Sequence, residues 1–156
     1  MILGIDPGVA NTGWAVVDDS GGEPRLVDCG VIETSKREPV GVRLGQIDDG
    51  LREIVHKYKI SKMAVELLYF ARNARSAMGV AEAIGVVRLS GCREGLEVVG
   101  YTPLQVKMAL VGYGRAEKRQ VEIMVRQSLG MEEEISPSHA SDAAAVALTA
   151  MYSKKW

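Results

Sequence analysis

The chain has 156 residues, a net charge of −1 at pH 7, 47% hydrophobic and 25% charged side chains, and two cysteines. Residues 1–156 are expected to form one domain, which at this length buries roughly two-thirds of its unfolded surface without staples. No apolar run approaches the roughly 20 residues that span a bilayer, and the chain opens on a strand rather than a signal peptide. Cys29 and Cys92 make neither a CxxC motif nor a Cys/His cluster, which excludes a zinc ribbon and a disulfide framework. Both are expected to be buried thiols in a reducing cytoplasm.

Residues 2–6, Ile-Leu-Gly-Ile-Asp, read as a buried strand that ends in a carboxylate and stops at the Asp6-Pro7-Gly8 turn. Residues 12–17 read as a second strand, closed by the turn-rich segment 18–22, and residues 26–33 as a third, giving an antiparallel meander. From Val40 the period changes. Val40, Leu44, Ile47, Leu51, Ile54 and Val55 are spaced by three and four, the mark of an amphipathic helix. Residues 62–66 return to strand and again end in a carboxylate, Glu66. A helix over 73–92, a short strand over 96–99 and helices over 103–110, 116–129 and 137–152 complete the chain. The pattern predicts an α/β protein with a mixed five-stranded sheet, its first three strands antiparallel and the rest parallel, covered by helices on both faces.

The 73–92 helix carries two apolar rows. One is Ala74, Met78, Ala81 and Gly85; the other is Ala77, Val80, Ile84, Val87 and Gly91. A helix that covers a sheet needs one stripe. The second row is expected to face a twin subunit across a two-fold axis, with Ala77, Val80, Ala81, Ile84 and Val87 at the interface.

Three segments each deliver an acidic or imidazole group to an element end. Asp6 and Glu66 close strands, and His139 and Asp142 lie three apart in the first turns of the last helix. Ser136 suits the N-cap of that helix and Pro137 its first position. Ala143, Ala144, Ala145 and Ala147 let it lie close to the sheet and bring its first turn towards Asp6. Burying a carboxylate costs several kcal/mol unless something compensates, so a shared metal centre explains how like charges meet. Phosphodiester hydrolysis wants such a set, because two divalent ions about 3.5–4 Å apart neutralise the transition state, activate water and stabilise the leaving oxygen. Mg²⁺ prefers carboxylate oxygens, and Mn²⁺ also accepts imidazole.

Net charge alone argues against a nucleic-acid partner, yet the charges are unevenly placed. Arg72 and Arg75 form one basic pair; Lys107, Arg115, Lys118 and Arg119 form a second group; Glu132, Glu133 and Glu134 carry acid elsewhere. A basic face for DNA is compatible with this total.

With these residues in place, the chain resembles the RuvC family of Holliday-junction resolvases, which has the RNase H-like fold. The markers run from end to end: Ile2-Leu-Gly-Ile-Asp6-Pro-Gly, Glu66 followed by Tyr69, residues 73–76, Gln105-Val-Lys107, Gly112-Tyr-Gly-Arg-Ala-Glu-Lys118 and His139-Ala-Ser-Asp142-Ala. The resemblance implies a homodimeric endonuclease that binds four-way DNA junctions and nicks two symmetry-related strands, leaving 5′-phosphate and 3′-hydroxyl ends. It implies Asp6, Glu66, His139 and Asp142 as ligands of two Mg²⁺ ions, with Mn²⁺ as substitute, and Lys107 and Lys118 near the scissile phosphate. Many relatives carry Asp where His139 stands, so its role as ligand, base or both stays open. Tyr69, or its neighbour Phe70, is expected to enter the junction, flanked by Arg72, Asn73 and Arg75. A branch-migration motor is the further partner the family suggests. Rival classes are an ATPase or sugar-kinase-like domain of the same superfamily, a non-catalytic junction-binding module, and a nuclease acting on RNA–DNA hybrids or ordinary duplexes.

Overall fold

Alternation sorts the strand residues onto two faces, and both are apolar. The first three strands, β1 (Ile2–Asp6), β2 (Asn11–Asp18) and β3 (Arg25–Glu33), pair antiparallel. On the other side of β1, β4 (Lys62–Glu66) and β5 (Val98–Tyr101) pair parallel, giving the order β3-β2-β1-β4-β5. The computed structural model describes residues 1–18, 20–67 and 74–153, and only the backbone of 74–76. Tyr69, Phe70, Arg72 and Asn73 lie outside the described residues, as does the side chain of Arg75.

One face of the sheet carries α1 (Val40–Tyr58) and α2 (Ala74–Arg93). Leu3, Ile5, Val16, Met63 and Val65 pack there with Ile47, Leu51, Ile84 and Val87. The opposite face carries α3 (Pro103–Val111), α4 (Lys118–Ser128) and α5 (Ser138–Tyr152). Ile2, Ala15, Val17 and Ala64 pack there with Val106, Leu110, Val125 and the alanines of α5. The mixed sheet covered on both faces is therefore the one expected.

Alternate residues of a strand share a face, so Asp6 follows Ile2 and Gly4 onto the α5 side, and Glu66 follows Ala64. Two glycines let α5 reach that side closely. A Cβ at Gly4 would stand 2.1 Å from the Ala143 carbonyl oxygen, and one at Gly13 would stand 2.1 Å from that of His139. Gly13 is also the register partner of Asp6. The close approach therefore delivers the start of α5 directly onto the end of β1.

Four expectations need correction. β5 begins at Val98 rather than residue 96, because Leu96 N–H bonds the Gly91 carbonyl at 2.8 Å and belongs to the turn that ends α2, where Gly95 has φ 69°. Pro137, not Ser136, occupies the N-cap position of α5, and no side chain caps that end. Cys92 is exposed and Cys29 only half-buried, since Cys92 projects from the outer side of α2. The row of α2 expected at a twin subunit also turns inward. Ile84 (8% exposed), Val87 (0%) and the partly buried Val80 fill the chain's own core, while Met78 (67%), Ala81 and Gly85 face outward. The bulkier β-branched row fills the space over the sheet, so Ile84 and Val87 are not free to meet a partner.

Candidate active site

Neighbouring parallel strands bring the two strand-end carboxylates together. β1 and β4 pair through Ile5 and Val65, so Asp6 and Glu66 stand side by side one residue further on. The Glu66 carboxyl shares the buried end of the two strands with that of Asp6. Burial, then the charges of Asp6 and Asp142, push its pKa up to about 7. Asp6, whose side chain is 17% exposed, is raised too, chiefly by burial and against the pull of its hydrogen bond from His139.

His139 Nδ1 lies 2.7 Å from Asp6 Oδ2. An ionised carboxylate only accepts, so Nδ1 donates this bond. Asp142 lies one turn further along α5, and donor atoms of Asp6, His139 and Asp142 all fall within 4.8 Å of one another. Hard carboxylate oxygens and one imidazole nitrogen, crowded enough to raise a glutamate to about 7, suit a divalent cation such as Mg²⁺ or Mn²⁺.

Two cations complete the arrangement. Thr102 caps α3 by accepting from Gln105 N–H, while the Gln105 side chain accepts from Thr102 N–H at 2.9 Å. At the start of α4, Glu117 N–H likewise donates to Gln120 Oε1 at 2.8 Å. These caps hold Lys107 on α3 and Lys118 on α4. Lys118 Nζ donates to Asp142 Oδ2 at 2.7 Å. Burial opposes its charge, but Asp142 together with Glu122 and Asp6 outweighs that and lifts its pKa. A cavity of about 200 Å³ is lined by Glu66, Lys107, Lys118 and Asp142 together with Pro103, Val106, Val121 and Ala145. A larger open groove of about 690 Å³, between residues 23–26 and 127–131, holds none of these donors.

Asp6, His139 and Asp142 thus form one donor group, and Glu66, Lys107 and Lys118 line the cavity that Asp142 shares with them. Arg115 and Arg119 are exposed on the loop before α4 and on α4 itself, outside the cavity lining. Gly13 was not singled out from the sequence, although a glycine inside a strand signals close backbone approach. Val106 and Val121 were unreadable as cavity walls, because helix core positions look alike in sequence.

Fold and cluster define the class: an RNase H-like α/β protein with an acidic, imidazole-bearing centre at the carboxyl ends of adjacent parallel strands. The profile of the family described as crossover junction endodeoxyribonuclease RuvC matches residues 2–150. A RuvC from Roseiflexus sp. is 44% identical over 150 residues, covering 96% of this chain and 89% of the relative. One from Rubrobacter xylanophilus is 43% identical over 155 residues, covering 99% and 87%. The structure of Thermus thermophilus RuvC in complex with Holliday junction substrate superposes with a TM-score of 0.91 at 40% identity, covering 97% of this chain and 93% of that one. Fowlpox virus resolvase shares the fold at 14% identity and a TM-score of 0.57. The chain belongs to the RuvC family of crossover junction endodeoxyribonucleases. That membership sets aside the ATPase or kinase-like alternative.

Proposed function

We propose that this chain is a structure-selective endonuclease that resolves four-way DNA junctions by metal-dependent hydrolysis, leaving 5′-phosphate and 3′-hydroxyl ends. The observation that carries it is the meeting of Asp6, His139 and Asp142 donors within 4.8 Å, beside Glu66 and two lysines, in a member of this family. Asp6, Glu66, His139 and Asp142 would hold the divalent ions, two Mg²⁺ per site with Mn²⁺ as substitute. When bound, such ions neutralise phosphate charge and acidify the attacking water.

The chain's own groups do the remaining work. His139, with Nδ1 committed to Asp6, has only Nε2 left to offer, and that one lone pair serves either as a ligand to an ion or as the base that takes a proton from the attacking water. Lys118 exchanges its contact with Asp142 for the scissile phosphate, and Lys107 binds the same strand from α3. Arg115 and Arg119 supply outer phosphate contacts, which dominate affinity and make it salt-dependent. Tyr69 or Phe70, with Arg72, Asn73 and Arg75, serves the junction centre. Residues 1–156 act as one nuclease domain, two copies of which pair so that two strands are cut; a branch-migration motor is the expected partner and the cytoplasm the expected location. Among the described residues no helix is long and apolar enough to cross a membrane.

The test compares a mobile four-way junction with a linear duplex of the same sequence, each with Mg²⁺ or Mn²⁺. Cleavage of the junction in preference to the duplex is expected. Equal cleavage of both would contradict the structure selectivity, and cleavage of neither would contradict the nuclease function.

A further inference from the structure

Exposed apolar side chains are spread over much of the surface, and three of them lie on α3, the helix that also supplies Pro103, Val106 and Lys107 to the catalytic cavity, and on the loop that follows it. Leu104 and Met108, one turn apart on α3, are 53% and 51% exposed, and Tyr113 in the following loop is 57% exposed. The loop folds back on the helix. Gly112 takes φ 76°, and a Cβ at Gly114 would fall 2.4 Å from Leu104 Cδ1 and 3.6 Å from Met108 Sδ. Glycine therefore lets the loop lie against both side chains, and Tyr113 precedes that glycine in the chain.

The core does not require this patch, because Val106 and Leu110 already supply the buried stripe of α3. Apolar groups clustered in water mark an interaction surface. Pro103, Leu104, Lys107 and Gly114 line a cavity of about 280 Å³, and Pro103 and Lys107 also line the catalytic cavity. The patch is thus continuous with the cleft. Its edges are cationic: Lys107 stands between the two cavities, and Arg115 follows Tyr113 by two residues, exposed. An aromatic and aliphatic face edged by cations matches a nucleotide, whose base offers a flat apolar face and whose phosphate is anionic. A protein seated here would cover the mouth through which the strand must enter.

We propose that Leu104, Met108 and Tyr113 form a shelf that receives the face of a nucleobase next to the scissile phosphate. The proposal rests on the nuclease function above and adds a strand contact to it. Tyr113 stacks on the base while Lys107 holds the adjoining phosphate. Tyr113 touches no reacting atom; it is a positioning residue that fixes the register in which the strand enters the cleft.

The test uses the full chain carrying Asp6→Asn and an immobile four-way junction with 2-aminopurine placed in turn at each nucleotide of the crossover. Anisotropy reports binding in the same titration. Emission from one probe position should fall about threefold on binding, and Tyr113→Ala should restore most of it while changing the junction Kd less than about threefold. Tyr113→Phe should keep the quench, since it keeps the ring. With Asp6 intact, Tyr113→Ala should lower kcat about tenfold and shift KM far less. Unchanged emission at every position with normal binding, the result expected if the shelf served a protein partner instead, overturns the shelf alone. Failure of the Asp6→Asn chain to bind the junction overturns the junction function and the shelf with it.

Discussion

The Glu66 carboxyl titrates at about 7 where an ordinary glutamate titrates near 4.5, and this displacement predicts the behaviour of the metal-free protein. The folded value is the higher one, so between pH 4.5 and 7 the folded state holds a proton that the unfolded chain has lost. Stability therefore falls as pH rises through that window, and the raised Asp6 adds to the fall at its acidic side. Glu66→Gln should remove the penalty, raising stability at pH 8 by on the order of 1–3 kcal/mol and flattening the slope. Urea denaturation at pH 5 and pH 8 without metal measures this; equal slopes in both proteins would contradict it. Saturating Mg²⁺ should stabilise the unsubstituted chain at pH 8 by mass action, and much less after Glu66→Gln. Buried Ser90 offers a second case. Its hydroxyl is fully buried without a hydrogen-bond partner among the described residues, so Ser90→Ala should be neutral or stabilising in the same denaturation assay. Asp6, Glu66, His139 and Asp142 were legible because each stands at an element end, where an apolar run stops on a group that needs compensation. Cys92 was not: a small apolar residue on a helix with two apolar rows gives no sign of which row meets solvent.

The approach of α5 to the sheet is the element-scale device that assembles the site. Gly13 sits opposite Asp6 and its missing side chain makes room for the His139 backbone. Gly13→Ala should lift the start of α5, costing about 1–3 kcal/mol by overpacking and lowering cleavage much more than junction binding. A denaturation curve with a nicking assay checks both, and normal nicking by a stable Gly13→Ala chain would show that α5 need not lie so close. Element identities were readable because strand runs are short and β-branched, while α1 repeats its apolar residues by three and four. Boundaries were less so. Leu96 looks like a strand residue until the Gly95 turn claims it, and Ser136 looks like a cap until Pro137 takes that position.

At the scale of the whole molecule, the two rows of α2 have different surroundings. Its inner row of Val80, Ile84 and Val87 belongs to the core, and its outer row of Met78, Ala81 and Gly85 remains available to a second copy. For the proposed dimer, Ala81→Glu should dissociate it with little loss of subunit stability, whereas Val87→Ala should lower stability as any core cavity does. Sedimentation equilibrium and urea denaturation distinguish these, and an Ala81→Glu chain that stays dimeric would move the interface elsewhere. Two apolar rows were visible in the sequence of α2, but not which of them the sheet would take, since that depends on volumes fitted against it. The central claim is that Asp6, Glu66, His139 and Asp142 work as one divalent-ion centre that cuts a junction held by other residues. It is tested most directly by placing the unsubstituted chain and Asp6→Asn on a labelled mobile four-way junction with Mg²⁺, following nicking and binding together. The expected result is paired nicking by the first chain, and by Asp6→Asn no nicking but junction binding of similar affinity. Nicking that survives Asp6→Asn, or a folded Asp6→Asn chain that no longer binds the junction, would contradict it.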